Sequence, residues 1–217
     1  MFTGIIQAIG HIDSITHAGE DLKLSINAKN LGLDDVQIGD SIAVNGVCLT
    51  VAHLTSAHFE VHVSKQTLDV SVGLNKQQGV NLEKAVRLND RLGGHLVSGH
   101  VDGVGEVTRF EDLSNQNLSN QGLSDQNLSN QNNGGCWLLA VRAPHAISKY
   151  IAKKGSVCVN GVSLTVNSIE NDIFSMNIIP HTLQQTTFQH LMVGSQVNLE
   201  IDQIARYVER MTQWSEE

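Results

Sequence analysis

A segment of this chain is written twice. Asn45-Gly-Val-Cys-Leu-Thr-Val51 returns 115 residues later as Asn160-Gly-Val-Ser-Leu-Thr-Val166, with six of seven positions identical. Gln66-Thr-Leu68 returns as His181-Thr-Leu183 at the same spacing, and Val80-Asn-Leu-Glu83 as Val197-Asn-Leu-Glu200 at 117. Three matches in one order at nearly one spacing indicate an internal duplication: one small fold built twice. The front of each half aligns at a shorter spacing. Gly4 and Gly10 match Gly99 and Gly105 at 95, and Ile12 and Ile15 then fall on Val107 and Phe110. The 20-residue discrepancy is accounted for by four pentads, Leu113-Ser-Asn-Gln-Asn117 through Leu128-Ser-Asn-Gln-Asn132. Without them, one spacing of about 95 carries through both halves.

The pentads are polar and nearly uncharged, so they cannot bury enough apolar surface to offset the entropy of ordering. The reading is a disordered surface insertion over 112–134. A β-solenoid is disfavoured, because four pentads make one coil and stacking needs about three repeats. The 217-residue chain as a whole is 41% hydrophobic and 17% charged, the composition of a soluble globular protein of one to two domains. Its formal charge is -8 and its aromatic content 4%, which fits neither a phosphate backbone nor a stacking platform, so no nucleic-acid partner is expected. No apolar run approaches the length of a membrane span, and the first residues lack the basic start of a signal peptide. Cys48, Cys136 and Cys158 are odd in number and lack CxxC spacing. That argues against a disulfide framework or zinc site and for a reducing cytoplasm.

Within each half, short apolar alternations are cut by Gly, Asn and Asp every 8 to 12 residues, for example Leu22–Ile26, Phe59–Val63 and Cys136–Val141. This spacing predicts an all-β fold, a small antiparallel barrel or sandwich per half. Short helices are expected over Ala28–Leu33 and His145–Lys153. In the tail from Asp202 to Trp214, Ile204, Tyr207/Val208 and Met211 fall on one helical face. So short a helix needs its own barrel or a partner subunit to pack on.

Side chains alternate along a strand. Val47, Leu49 and Val51 therefore oppose Cys48 and Thr50, as Val162, Leu164 and Val166 oppose Ser163 and Thr165. The Val/Leu face reads as core. The other face carries a thiol and a hydroxyl in one copy and two hydroxyls in the other, which suggests two similar cradles with different tasks. His95 and His100 sit in Gly93-Gly-His-Leu-Val-Ser-Gly-His100, a Gly-rich setting where a ligand can approach the backbone. Their odd spacing disfavours a metal pair, whereas either could move a proton near neutrality. Lys65 and Lys154 are candidate cationic contacts.

Together, Met1-Phe-Thr-Gly-Ile-Ile6, the paired Asn-Gly-Val-(Cys/Ser)-Leu-Thr-Val strands, Lys65-Gln-Thr-Leu68, Gly93–His100 and Ile179-Pro-His-Thr-Leu183 resemble the riboflavin synthase family across nearly the whole chain outside the pentads. The resemblance implies two tandem six-stranded antiparallel Greek-key barrels, over 1–95 and 96–202, and a trimer-forming helix over 203–217. It implies a transferase that dismutates two molecules of 6,7-dimethyl-8-ribityllumazine, with no metal or organic cofactor. One molecule gives a four-carbon unit to the other, yielding riboflavin and 5-amino-6-ribitylaminouracil. The homotrimer would form the productive site between the first barrel of one subunit and the second of its neighbour, and association with a lumazine synthase shell is a further expected contact. By motif, the first cradle is Gly4, Ile5, Ile6, Cys48, Leu49, Thr50, His62, Val63, Ser64, Lys65, Gln66 and Thr67. The second is Gly99, His100, Val101, Lys154, Ser163, Leu164, Thr165, Asn177, Ile178, Ile179, Pro180, His181 and Thr182. Cys48, Ser41 and His100 are the implied catalytic participants, with Ser163 and Asp202 from the other barrel. The competing class is a lumazine-binding antenna protein. Such proteins typically lack the Lys-x-Thr-Leu segment that this chain keeps as Lys65, Thr67 and Leu68.

Overall fold

The computed structural model describes residues 1–114 and 135–214. The first half has strands β1 (Ala8–Ala18), β2 (Asp21–Asn27), β3 (Ser41–Val44), β4 (Val47–Leu54) and β5 (His58–Val63), then helix α1 (Lys65–Val70) and strand β6 (Gly79–Lys84). The six strands close into a barrel in the order β1-β2-β5-β4-β3-β6. Alternation explains its interior. Leu22, Leu24 and Ile26 of β2 and Phe59, Val61 and Val63 of β5 are buried, while Lys23 and His62 point out. Each of these large side chains contributes roughly 1.5–3 kcal/mol by leaving water.

The second half repeats the circuit. Its elements are β7 (Gly103–Asp112), β8 (Trp137–Arg142), α2 (His145–Ser148), β9 (Ser156–Val159), β10 (Val162–Thr165), β11 (Ser168–Glu170), β12 (Ile173–Ile178), α3 (Pro180–Gln185), β13 (Gln196–Ile201) and a last helix, α4 (Gln203–Trp214). Sheet order is β10-β9-β13-β7-β8-β12-β11. This corrects one detail of the expected twin barrels, because the second copy is a seven-stranded open sheet rather than a closed ring. The difference is local. In the first copy β4 runs through an irregularity between Val51 and His53 and stays paired to β5. In the second, the matching stretch breaks at Val166-Asn167 into β10, which pairs only with β9, and β11, which pairs with β12, so no ladder closes the ring.

Two hairpin turns meet at the centre of the molecule. Asn45-Gly46 joins β3 to β4 with φ of 47° and 82°, and Asn160-Gly161 joins β9 to β10 with 45° and 83°. Both φ positive in a two-residue loop is the turn Asn-Gly favours, because its twist matches the strands. A Cβ on Gly46 would stand 2.7 Å from the Gly161 backbone nitrogen, so glycine is needed where the turns touch. A reciprocal amide lattice seals the contact. The Asn81 side chain donates to the Asn160 carbonyl, and the Asn198 side chain to the Asn45 carbonyl.

The expected helix over Ala28–Leu33 is a single 3-10 turn at Lys29–Leu31, and that over His145–Lys153 shortens to α2. The tail helix forms as α4, with Ile204, Tyr207, Val208, Met211 and Trp214 all more than half exposed. Residues 115–134, most of the expected insertion, lie outside the described residues. Among the described residues, no helix is long and apolar enough to cross a membrane.

Candidate functional site

Strands β4 and β5 part company. Their ladder runs from Leu54 paired with Phe59 to Val51 paired with Val61 and then stops. Beyond it, Cys48, Leu49 and Thr50 remain paired to β3, while His62 and Val63 remain paired to β2. The two edges splay into a wedge walled by Cys48–Thr50 on one side and His62–Val63 with the start of α1 on the other. The Ser64 hydroxyl caps α1 by accepting the Thr67 N–H at 3.2 Å. On the outer face of β3 and β4, Ser41 pairs across from Thr50 and Ala43 across from Cys48. Leu49 is buried inward, so the outer face carries the small polar groups.

The second half has the same wedge. β10 pairs only with β9, and β12 pairs with β11 through Ser168–Glu170 and with β8. Ser163–Thr165 therefore faces the end of β12, where Asn177 and Ile178 lead through Ile179 into α3. Pro180 opens α3 and His181 and Thr182 follow, matching Lys65, Gln66 and Thr67 of α1.

A glycine arm enters each wedge, and it comes from the other half. The Ser163 N–H donates to the Gly4 carbonyl at 2.9 Å, and the Cys48 N–H to the Gly99 carbonyl at 2.8 Å. Ile6 packs on the second core and Val101 on the first. This corrects the expected grouping within one chain: Gly4-Ile5-Ile6 lies with Ser163–Thr165, and Gly99-His100-Val101 lies with Cys48–Thr50. The exchange makes glycine obligatory. With φ of 75° and 78°, a Cβ on Gly4 would meet the Ser163 Cβ at 2.2 Å, and one on Gly99 the Cys48 Cβ at 2.6 Å.

Two buried carboxylates hold the arms. Glu83 accepts the Thr3 N–H and hydroxyl at 2.7 Å each and the Gly4 N–H at 3.0 Å. Glu200 accepts the N–H groups of Ser98, Gly99 and His100 at 2.7, 2.9 and 3.2 Å. Burial pushes both carboxyls above their usual range, and the hydrogen bonds pull the other way without cancelling it. Between them, burial and then the charges of Glu200 and Glu83 drive the Cys158 thiol well up, so it is an inert packing group.

The remaining expected residues divide. Asp202 accepts a hydrogen bond from the Ser156 hydroxyl at 2.7 Å, and Ser156 is the second-copy match of Ser41. Ser163 hydrogen-bonds His95 through Nδ1, so His95 belongs to the second wedge and His100 to the arm of the first. The Lys65 ammonium is taken by Asp69 at 2.7 Å. Lys154 sits exposed at φ 67° on the turn before β9. The sequence offers His95 for proton transfer without assigning it to a wedge, and leaves out Ser156, Glu83 and Glu200. All three had a signal: the glutamates end the Val-Asn-Leu-Glu repeat, and Ser156 falls 115 residues after Ser41.

The lumazine binding domain model matches the chain twice, at residues 3–85 and 98–202. The chain is 43% identical over 217 residues to a riboflavin synthase of Photobacterium phosphoreum, covering 97% of this chain and 88% of that protein. It is 40% identical over 212 residues to the riboflavin synthase of Bacillus subtilis, covering 97% and 89%. Among solved structures it is similar to LumP complexed with riboflavin, with a TM-score of 0.74 and 25% identity over 93% of this chain and 99% of that one.

Proposed function

The chain belongs to the lumazine-binding family, among its riboflavin synthases, and from that premise we propose how its two wedges carry out the reaction. It is a transferase that dismutates 6,7-dimethyl-8-ribityllumazine to riboflavin and 5-amino-6-ribitylaminouracil. The observation that carries this reading is the pair of like wedges, each splayed from one strand pair and closed by a glycine arm, in one chain. Two copies of one heterocycle need two matching seats, and fixing them converts an encounter into a positioned reaction.

In the first wedge, the edges of Cys48–Thr50 and His62–Ser64 read the pyrimidine ring, with Gly99-His100-Val101 across from them. Hydroxyls of Thr50 and Thr67 take the ribityl chain. In the second, Ser163–Thr165, Asn177–Thr182 and Gly4-Ile5-Ile6 do the same, with Lys154 at the rim and Thr165 and Thr182 on the ribityl chain. The lumazine 7-methyl group is unusually acidic, so a modest base suffices. His100 beside Cys48 supplies proton transfer, and Ser41, Ser163 and Asp202 orient the reacting pair. The bond transfers leave all atoms in the two products, so no co-reactant enters.

We divide the chain into barrels at 1–95 and 96–202 and an assembly helix at 203–217. The exposed apolar face of α4 supports a homotrimer, with each productive site made by the first barrel of one subunit and the second of the next. Three free cysteines suit a cytoplasmic home, and a lumazine synthase shell is the proposed partner assembly.

The test is to incubate the pure protein with 6,7-dimethyl-8-ribityllumazine, adding no metal or coenzyme. One riboflavin should form for every two lumazines lost. Lumazine that is bound but unchanged would support the antenna reading instead, which the likeness to LumP favours and the retained Lys65, Thr67 and Leu68 oppose.

A further inference from the structure

The arm that carries His100 meets Cys48 through Gly99, so at that contact no side chain holds it; Val101 beyond packs on the first core. Its placement therefore depends on what grips the backbone. Three consecutive N–H groups, of Ser98, Gly99 and His100, converge on Glu200. The carboxylate is buried at 4% exposure, in a setting where such bonds are strong and where a missing acceptor would leave N–H groups unpaired. The far side of the arm is gripped too. Arg206, on α4, donates through Nη2 to the His100 carbonyl and to the Asp102 carboxylate, each at 2.9 Å. Asp102 in turn accepts the Ile201 N–H at 2.8 Å, one residue beyond Glu200 on β13.

The other arm shows what is special here. Glu83 holds Thr3 and Gly4 in the same way, and Ile5 occupies the position that matches His100. The Thr3 hydroxyl then accepts the Ile5 N–H at 3.2 Å, a local turn rather than a tie to a second element. The arm that carries a titratable side chain is thus anchored by a strand and by the terminal helix together. The arm that carries an isoleucine has no tie to a helix: besides Glu83 it is held by the loop before the second half, where the His95 N–H donates to the Thr3 carbonyl and Phe2 bridges Val97.

We infer that Glu200, with Arg206 of α4, is the positioning device for His100, holding its backbone so that the imidazole works at the Cys48 side of the first wedge. This rests on the synthase reading and goes beyond it, because neither residue touches the wedge itself. It also makes α4 part of the active site's support: its apolar face is the one proposed for assembly, and its other side reaches the catalytic arm through Arg206.

A double-mutant cycle on the full-length protein tests the inference. A misplacement of about 1 Å can cost on the order of a hundredfold in rate. Glu200→Gln keeps the shape but turns an amide NH₂ toward the arm's N–H groups, and should lower kcat by about that factor while moving KM far less. If Glu200 acts through His100, then Glu200→Gln with His100→Ala should be no slower than His100→Ala alone. Should Glu200→Gln fail to fold, Arg206→Met takes its place in the same cycle, since Arg206 lies on the outer helix. Losses that multiply, or a Glu200→Gln enzyme with wild-type kcat, would overturn the positioning role while leaving the synthase reading intact. A wild-type protein that turns over no lumazine in the same assay would overturn both.

Discussion

Cys48 and Ser163 hold matching positions on the outer faces of β4 and β10, yet they meet different neighbours. Ser163 is bound by His95, whereas Cys48 packs beside Phe2, Ala43 and Val97 near the His100 arm. Under the proposed function, the thiol serves the chemistry and the serine the seating. Cys48→Ala should lower turnover by at least tenfold while changing lumazine affinity by less than about threefold, a split read from kcat against a fluorescence titration. Equal turnover would reduce Cys48 to packing. The polar faces were legible because they repeat. Glu83 and Glu200 repeat too, but their role was not legible, because an alternating strand gives no sign that a glutamate on the face away from the core will meet three donors from a distant arm. Their raised carboxyls carry a pH signature. A buried group that holds its proton more tightly when folded adds stability at acid pH, and loses it as pH rises through the folded value. Urea midpoints should therefore fall as pH rises above the ordinary carboxylate range, and Glu83→Gln with Glu200→Gln should flatten that fall. An unchanged slope in the double variant would place the titration elsewhere.

At the scale of elements, the hairpins with Asn-Gly turns and the apolar alternations of β2, β5 and β12 could be read directly, since period two and turn chemistry agree there. Helices α1 and α3 could not. Each is six residues long, less than two turns, and shows no 3.6 periodicity. Nor was the break between β10 and β11 visible, because Leu164-Thr-Val166 repeats Leu49-Thr-Val51 without change. Near that break, Lys154 adopts φ 67° where the first copy has Gly39 at 97°, and its N–H donates to the Val166 carbonyl at 2.8 Å just as the Gly39 N–H donates to Val51. A non-glycine residue in the left-handed region costs about 1–2 kcal/mol, partly offset by the entropy a glycine loses on folding. Lys154→Gly should accordingly stabilise the protein by up to about 1 kcal/mol in chemical denaturation. If the ammonium also meets the substrate, the same variant should bind lumazine more weakly. A destabilised variant would show that the lysine side chain earns its place in the fold by packing.

The whole molecule is a closed barrel and a matching open sheet that complete each other. The Asn-Gly turns and amide lattice lock the halves back to back, and each half lends its glycine arm to the other. The duplication made the count of two seats readable from sequence. The exchange of arms was not readable, because Gly4 and Gly99 align with each other and nothing local says which wall each will meet. An exchange of this kind means neither wedge is finished until both halves are folded, which is how one chain ends with two seats of nearly the same shape. The number of seats is the quantity to measure. Titration with an unreactive analogue of 6,7-dimethyl-8-ribityllumazine, followed by equilibrium dialysis, should saturate at two molecules per chain. Saturation at one per chain would mean that a single wedge accepts the heterocycle, and the paired-seat mechanism would fall.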